Sequence, residues 1–142
     1  MNYDQLIRNL EAQAKEYGNM LEALEAEIML TASACLEDLI SCQTEKEKAA
    51  IQVRALEQQR QGLVYHLIRE HNLSNQAKLE ELVAFTDEER GGRLLDLKSH
   101  LIDLVEHIQT QGRYVAERAM VRSNCITEVQ KTLDQHLKNP RL

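Results

Sequence analysis

Between Leu94 and Leu137 no proline interrupts the chain, and apolar side chains return every three or four positions. That spacing lays one stripe along a helix of 3.6 residues per turn, so the stretch predicts a single long amphipathic helix. Leu94, Leu97, Leu101, Leu104 and Ile108 make the first part of the stripe, and Val115, Ala119, Ile126, Val129 and Leu133 the second. Two successive steps of four, Leu104 to Ile108 and Ile108 to Gly112, separate them. They read as a stutter and predict a kink or a change of surface near Gly112. Glycine costs about 1 kcal/mol against alanine in a helix interior, so either a packed neighbour holds Gly112 in place or the helix bends there.

Upstream, Tyr3, Ile7, Leu10, Ala14, Tyr17, Leu21, Leu24 and Ile28 alternate steps of four and three. This predicts a helix over 3–30 with a narrow, coiled-coil-like seam. Thr31, Ala32 and Ser33 interrupt the bulky positions, and Ser33 is placed to cap a second helix over 34–69, with a continuous helix through this stretch as the alternative. Leu36, Leu39, Ala50, Val53, Leu56, Leu63 and Leu67 lie along one side of it, while Thr44 to Lys48 and Gln58 to Gln61 read as a solvated face. A short helix over 76–84, capped by Ser74 or Asn75, is expected in the connector. Thr86-Asp87-Glu88-Glu89 has capping-box spacing and starts the last helix, 87–137, with Arg93 as an alternative start because Gly91-Gly92 weakens the second turn. Asn139-Pro140 ends it. The expected architecture is all-α: one domain over 1–142, an elongated antiparallel bundle of three long helices with a short helix in the second connector.

Composition narrows the function classes. One phenylalanine, four tyrosines, no tryptophan and a single proline in 142 residues disfavour a β-sandwich or barrel. A net charge of −6 leaves no basic field for nucleic acid, and the aromatic residues are too few for a base-stacking surface. No apolar run approaches the roughly 20 residues that span a bilayer, and Met1-Asn2-Tyr3-Asp4 lacks the regions of a signal peptide, so no membrane span and a cytoplasmic location are expected. Cys35, Cys42 and Cys125 are an odd count without metal-type spacing and read as free thiols.

The usual marks of catalysis are missing from this pattern. His66 and His71 are five residues apart, which turns them to different helix faces, whereas a zincin pair needs four. His100 and His107 share a face, but the sequence supplies no ligands on a second helix. Gly91-Gly92 follows no strand, so it is not a phosphate loop. No cofactor or metal is expected and the chain is not read as an enzyme.

The second predicted helix carries Leu36-Glu37-Asp38-Leu39, then Glu45-Lys46, Leu56 and Arg60, after a first helix ending around Glu27; the connector carries Leu79-Glu80-Glu81-Leu82. This pattern resembles the FlgN-type flagellar export chaperones from about Leu6 to Leu133. The chain departs from them at Gln109 and Gly112, where the family tends to carry paired asparagines, and after Leu137, where no aromatic residue stands. The resemblance implies a cytoplasmic chaperone for hook-filament junction proteins. Such a protein holds their C-terminal amphipathic helices until type III export, prevents premature assembly, and meets the flagellar export gate.

The last helix itself carries apolar residues on more than one face, with Leu95, Ile102 and Val105 beside the main stripe and Val115, Met120 and Val121 beyond Gly112. A two-partner bundle leaves some of them exposed, and an exposed stripe is a groove for an amphipathic helix. Val115, Ala119, Met120, Ile126, Val129 and Leu133 are therefore the candidate client-binding residues, Met120 supplying an adaptable contact. The alternative is a structural coiled coil or self-associating adaptor, a homo-oligomer without chaperone activity, suggested by the strict heptad of residues 3 to 28.

Overall fold

A computed structural model describes residues 2–30 and 36–138, except for the side chains at 121–123, 125–126 and 136–138. All the regular structure among them is helical. Helix α1 spans Asn2–Met29, α2 Leu36–Glu70, α3 Leu79–Leu82 with a 3-10 turn at Val83–Phe85, and α4 Glu88–Lys138. The expected Ser33 cap and the Asn139-Pro140 stop lie outside the described residues.

Helix α1 holds the other two long helices. Glu27 meets Lys46, and Asn9 meets Leu56 and Gln59, so α1 and α2 run antiparallel. Asp4 meets Arg90 near the start of α4, and Ile28 meets Arg118 far along it, so α1 and α4 run parallel. The backbones of α2 and α4 hardly approach each other. Each of them therefore buries its stripe mainly against α1, and a slot is left between them.

The core sits where the connector closes the base. Leu6 and Leu10 of α1, Leu67 and Ile68 of α2, Leu82 of α3, and Leu94 and Leu97 of α4 form one buried cluster, with Tyr3, Val64, Leu73 and Leu101 packed around it. Removing a leucine side chain from water contributes roughly 1.5–3 kcal/mol, so this cluster is the main apolar anchor of the connector. Beside it lies a polar layer that apolar periodicity passes over. Asn9 and Gln13 are buried; the Asn9 amide donates to the Leu56 carbonyl at 2.8 Å and to Gln59 Oε1 at 2.9 Å, and the Gln13 amide donates to Asn9 Oδ1 at 2.8 Å. A buried amide is costly unless paired, so this chain of hydrogen bonds fixes the register of α1 on α2.

The connector differs from expectation at both of its ends. Asn72 adopts φ 52°, the Leu73 amide donates to the Ile68 carbonyl at 2.9 Å, and the Asn72 amide donates to the Arg69 carbonyl at 3.3 Å. This is a Schellman ending, with Leu73 returned to the core as its apolar contact. Neither Ser74 nor Asn75 caps the short helix. Ser74 Oγ accepts the Gln76 amide in a local turn, and Lys78 is extended, so α3 begins only at Leu79. The Thr86 capping box is not formed either: Thr86 Oγ1 donates to Asp87 Oδ1, and α4 starts at Glu88 with the Asp87 carbonyl accepting the Gly91 amide. Gly91 is buried, and a Cβ there would lie 3.4 Å from Val83 Cβ, a close approach that seats the 3-10 turn on α4.

Helix α4 keeps a regular seam across the expected stutter. Among its buried or half-buried positions, Leu94, Leu97, Leu101, Leu104, Ile108, Gln111, Val115 and Arg118 alternate steps of three and four, with Lys98, Val105 and Gly112 half-buried beside them. Gln111 and Gly112 are both half-buried, so the seam takes in a polar residue that an apolar count passes over. Helix α4 is uninterrupted through Gly112, and a Cβ added there would meet nothing within 4 Å, so no packed neighbour offsets the glycine. Leu36 is a second correction, being 71% exposed rather than part of a buried stripe, because it lies beyond the end of α1.

Two outcomes follow from these contacts. Gly112→Ala is expected to stabilise the protein by about 1 kcal/mol, read as a rise of roughly 3 °C in the thermal midpoint. Hydrogen bonds from Arg90 hold the carboxyls of both Asp4 and Asp87 below their ordinary range. Lowered carboxyl pKa values favour the fold above the ordinary range, and that contribution fades as pH falls through the lowered values. In Arg90→Ala both carboxyls are expected to titrate higher than in the wild type, as followed by carboxyl-carbon NMR.

Candidate functional site

The seam of α4 outlasts the helix that covers it. At about 1.5 Å per residue α1 is roughly 42 Å long and α4 roughly 77 Å, and the two start almost level at the Asp4–Arg90 pair. They are still level at the far end of α1. There the Arg118 guanidinium donates to the carbonyls of Ile28 and Leu30 and lies 5.8 Å from the centre of the Tyr114 ring. Those carbonyls carry the negative end of the α1 dipole, and the last turn of α1 has no basic residue of its own. Arg118 therefore caps α1 from α4. From there to Lys138, α4 runs on for roughly 30 Å.

Every described side chain from Ala119 to Gln135 is exposed. Val115 is half-buried and marks the last apolar contact of the seam. Ala119, Val129 and Leu133 continue the same side of the helix, and the two larger ones are 58% and 55% exposed. Ile126 falls between them in the chain, but its side chain lies outside the described residues, as does that of Val121. Met120 is 67% exposed yet belongs elsewhere, since at about 100° per residue it sits roughly 140° around the helix from Val115. The structure thus groups Val115, Ala119, Val129 and Leu133 and separates Met120 from them.

Other apolar side chains gather at the same end. Met29, at the end of α1, is 81% exposed, and Leu36 and Ile40, in the first turns of α2, are 71% and 54% exposed. The level of α2 is set by Lys46, whose ammonium lies 2.7 Å from Glu27, with Gln43 also donating to Glu27. Both ends of this ion pair are largely shielded from water, at 19% and 11% side-chain exposure, so it is better screened from salt than the other charge pairs of the fold. Burial and the Glu27 carboxylate push the Cys42 thiol up, which disfavours the thiolate. In the sequence Glu27 and Lys46 are marks of the family resemblance alone; their geometry makes them the clamp that positions the overhanging start of α2.

A second depression opens lower down, in the slot between α2 and α4. Its volume is about 550 Å³, and Leu6, Leu10, Val64, Leu82, Leu101 and Ile102 give it an apolar lining. Tyr17 lies in its wall, its hydroxyl pushed up in pKa by burial and by the Glu57 carboxylate. Ile102 and Val105 stand out in the sequence as extra apolar positions, but nothing in its periodicity signals that α2 and α4 stand apart.

No group of three or more His, Cys, Asp or Glu side chains is arranged to hold a metal ion among the described residues. His71 stacks on Phe85 at 4.2 Å between ring centres and stands 3.5 Å from the Tyr3 hydroxyl, which donates to the Leu82 carbonyl at 2.7 Å. Its place is structural, in the packing of the connector. What the geometry provides is apolar surface along helices, suited to receiving another helix.

Arg118→Ala is expected to leave the basal core intact but to loosen the joint between α1 and α4, so that amide hydrogen exchange accelerates at Glu25–Leu30 and from Val115 onward, while Leu94–Ile108 keep their protection.

Comparison with known proteins gives one match: the family model described as FlgN protein covers residues 1–141. No curated protein and no solved structure matches the chain.

Proposed function

The chain belongs to the FlgN family of flagellar export chaperones, and on that premise we propose that it binds the C-terminal amphipathic helices of hook-filament junction proteins in the cytoplasm. Holding those helices keeps their apolar faces from assembling before type III export. The observation that carries this reading is the overhang of α4, whose heptad seam continues past the end of α1 with Val129 and Leu133 uncovered. Below Arg118 the same seam is covered by α1; above it, a client helix takes the corresponding place. The arrangement is then the empty state of an elongated bundle that the client completes.

The energetics favour such an exchange. An apolar residue on a solvated helix gains roughly 25 cal/mol for each Å² it buries, and a client with its own apolar stripe gains the same on its side. Half-buried Val115 and exposed Ala119 begin the contact and Val129 and Leu133 continue it, with Ile126 between them along the chain. Met120, on a different face, touches the client only if the client wraps around α4.

The test is calorimetric titration with the C-terminal segment of a hook-filament junction protein from the same organism. Wild-type protein is expected to bind at micromolar affinity or better with a negative heat-capacity change. The double variant Val129→Asp, Leu133→Asp is expected to lose at least about tenfold in affinity with its thermal midpoint unchanged, because both residues are already exposed. A fall in midpoint together with loss of a homo-oligomer would instead favour the self-associating adaptor.

A further inference from the structure

The slot between α2 and α4 has a polarity along its length that the overhang lacks. Its lining runs from the connector end, marked by Ala77, Leu79 and Lys98, to an upper end marked by Tyr17, Glu57 and Glu106. Lys98 to Glu106 is roughly 12 Å of α4, a little over two helical turns. Leu6 and Leu10 of α1 and Leu101 of α4 give the slot an apolar lining along that length. Ile102, at 47% exposure, stands half uncovered on its wall.

The charges on the rim are sorted. Lys78 and Lys98 stand at the connector end, Glu57 and Glu106 at the other, and Arg60 lies on the α2 side between them. Lys98 is paired with Glu80, whose carboxyl its hydrogen bond holds below the usual range. Lys78 is exposed, and its ammonium makes no ion pair or hydrogen bond among the described residues, acting on the Glu80 carboxylate only through space. A helix is positive at its N-terminus and negative at its C-terminus. Lysines at the connector end and glutamates at the far end therefore suit a helix that enters with its C-terminus toward the connector. The match is stronger when that helix ends its chain, because the terminal carboxylate then adds a full negative charge near Lys78.

We propose that this slot is a second docking site, which seats the last two turns of a partner's amphipathic helix with its terminal carboxylate at Lys78. The proposal rests on the reading that partners present C-terminal helices, and it adds a place and a direction for the end of that helix. Ile102, Val105 and Leu101 contact its apolar face. Glu57 and Glu106 flank its N-terminal end.

The experiment uses the full-length chain and one peptide, the last residues of a hook-filament junction protein from the same organism, made with a free carboxylate and as the terminal amide. The free acid is expected to bind about tenfold more tightly than the amide, and Lys78→Gln, a change on an exposed residue, is expected to remove that difference. Ile102→Asp is expected to weaken both peptides about tenfold or more. Equal affinity for acid and amide in the wild type overturns the proposal. So does wild-type affinity in Ile102→Asp when Val129→Asp, Leu133→Asp has lost binding, a result that leaves the chaperone reading standing. No binding of either peptide to the wild type removes the reading and the slot together.

Discussion

The structure depends on one helix being shorter than the two it holds. Helix α1 is the element against which both α2 and α4 pack, and it ends at Met29 while α4 continues to Lys138. Below that end the leucine cluster around Leu6, Leu67, Leu82 and Leu94 closes the base. Above it, Val129 and Leu133 lie exposed on α4. The same sequence pattern thus serves as core in one half of α4 and as free surface in the other, and the difference is made by the length of α1.

Polar contacts set the positions of the ends. The Asn9–Gln13 layer and the Glu27–Lys46 pair register α1 on α2, while Arg90 and Arg118 register α1 on α4 at its two extremities. Leucine seams alone tolerate sliding by a heptad, since one apolar rung resembles the next. A buried amide that must find the Leu56 carbonyl does not tolerate it. That division of labour explains how a chain of weakly amphipathic helices keeps a fixed overhang.

Much of this was legible from periodicity. The heptad from Tyr3 to Ile28 and the stripe from Leu94 to Leu133 located two of the long helices and the candidate surface, because burial along a helix repeats at its own period. Legibility failed where the structure depends on polar groups or on neighbours. Gln111 shares the half-buried seam with Gly112, a place that counting apolar residues gave to the glycine alone. Asn9 and Gln13 keep step with Leu6 at intervals of three and four, a signal that their polarity concealed. The connector followed local hydrogen bonds at Ser74 and Thr86 rather than the capping patterns their spacing suggested. Periodicity also shows a stripe without showing what covers it, so the slot between α2 and α4 was not readable, whereas the separation of Met120 from Val129 follows from helical spacing alone.

The central claim is that the uncovered seam beyond Arg118 is the part of α4 that a client helix covers. Amide hydrogen exchange on the full chain, alone and saturated with the C-terminal segment of a hook-filament junction protein, tests it directly. The account predicts weak protection from Ala119 to Lys138 in the free protein and a marked rise there on binding, with Leu94–Ile108 protected in both states. A saturated complex in which exchange from Ala119 to Lys138 is unchanged would contradict it.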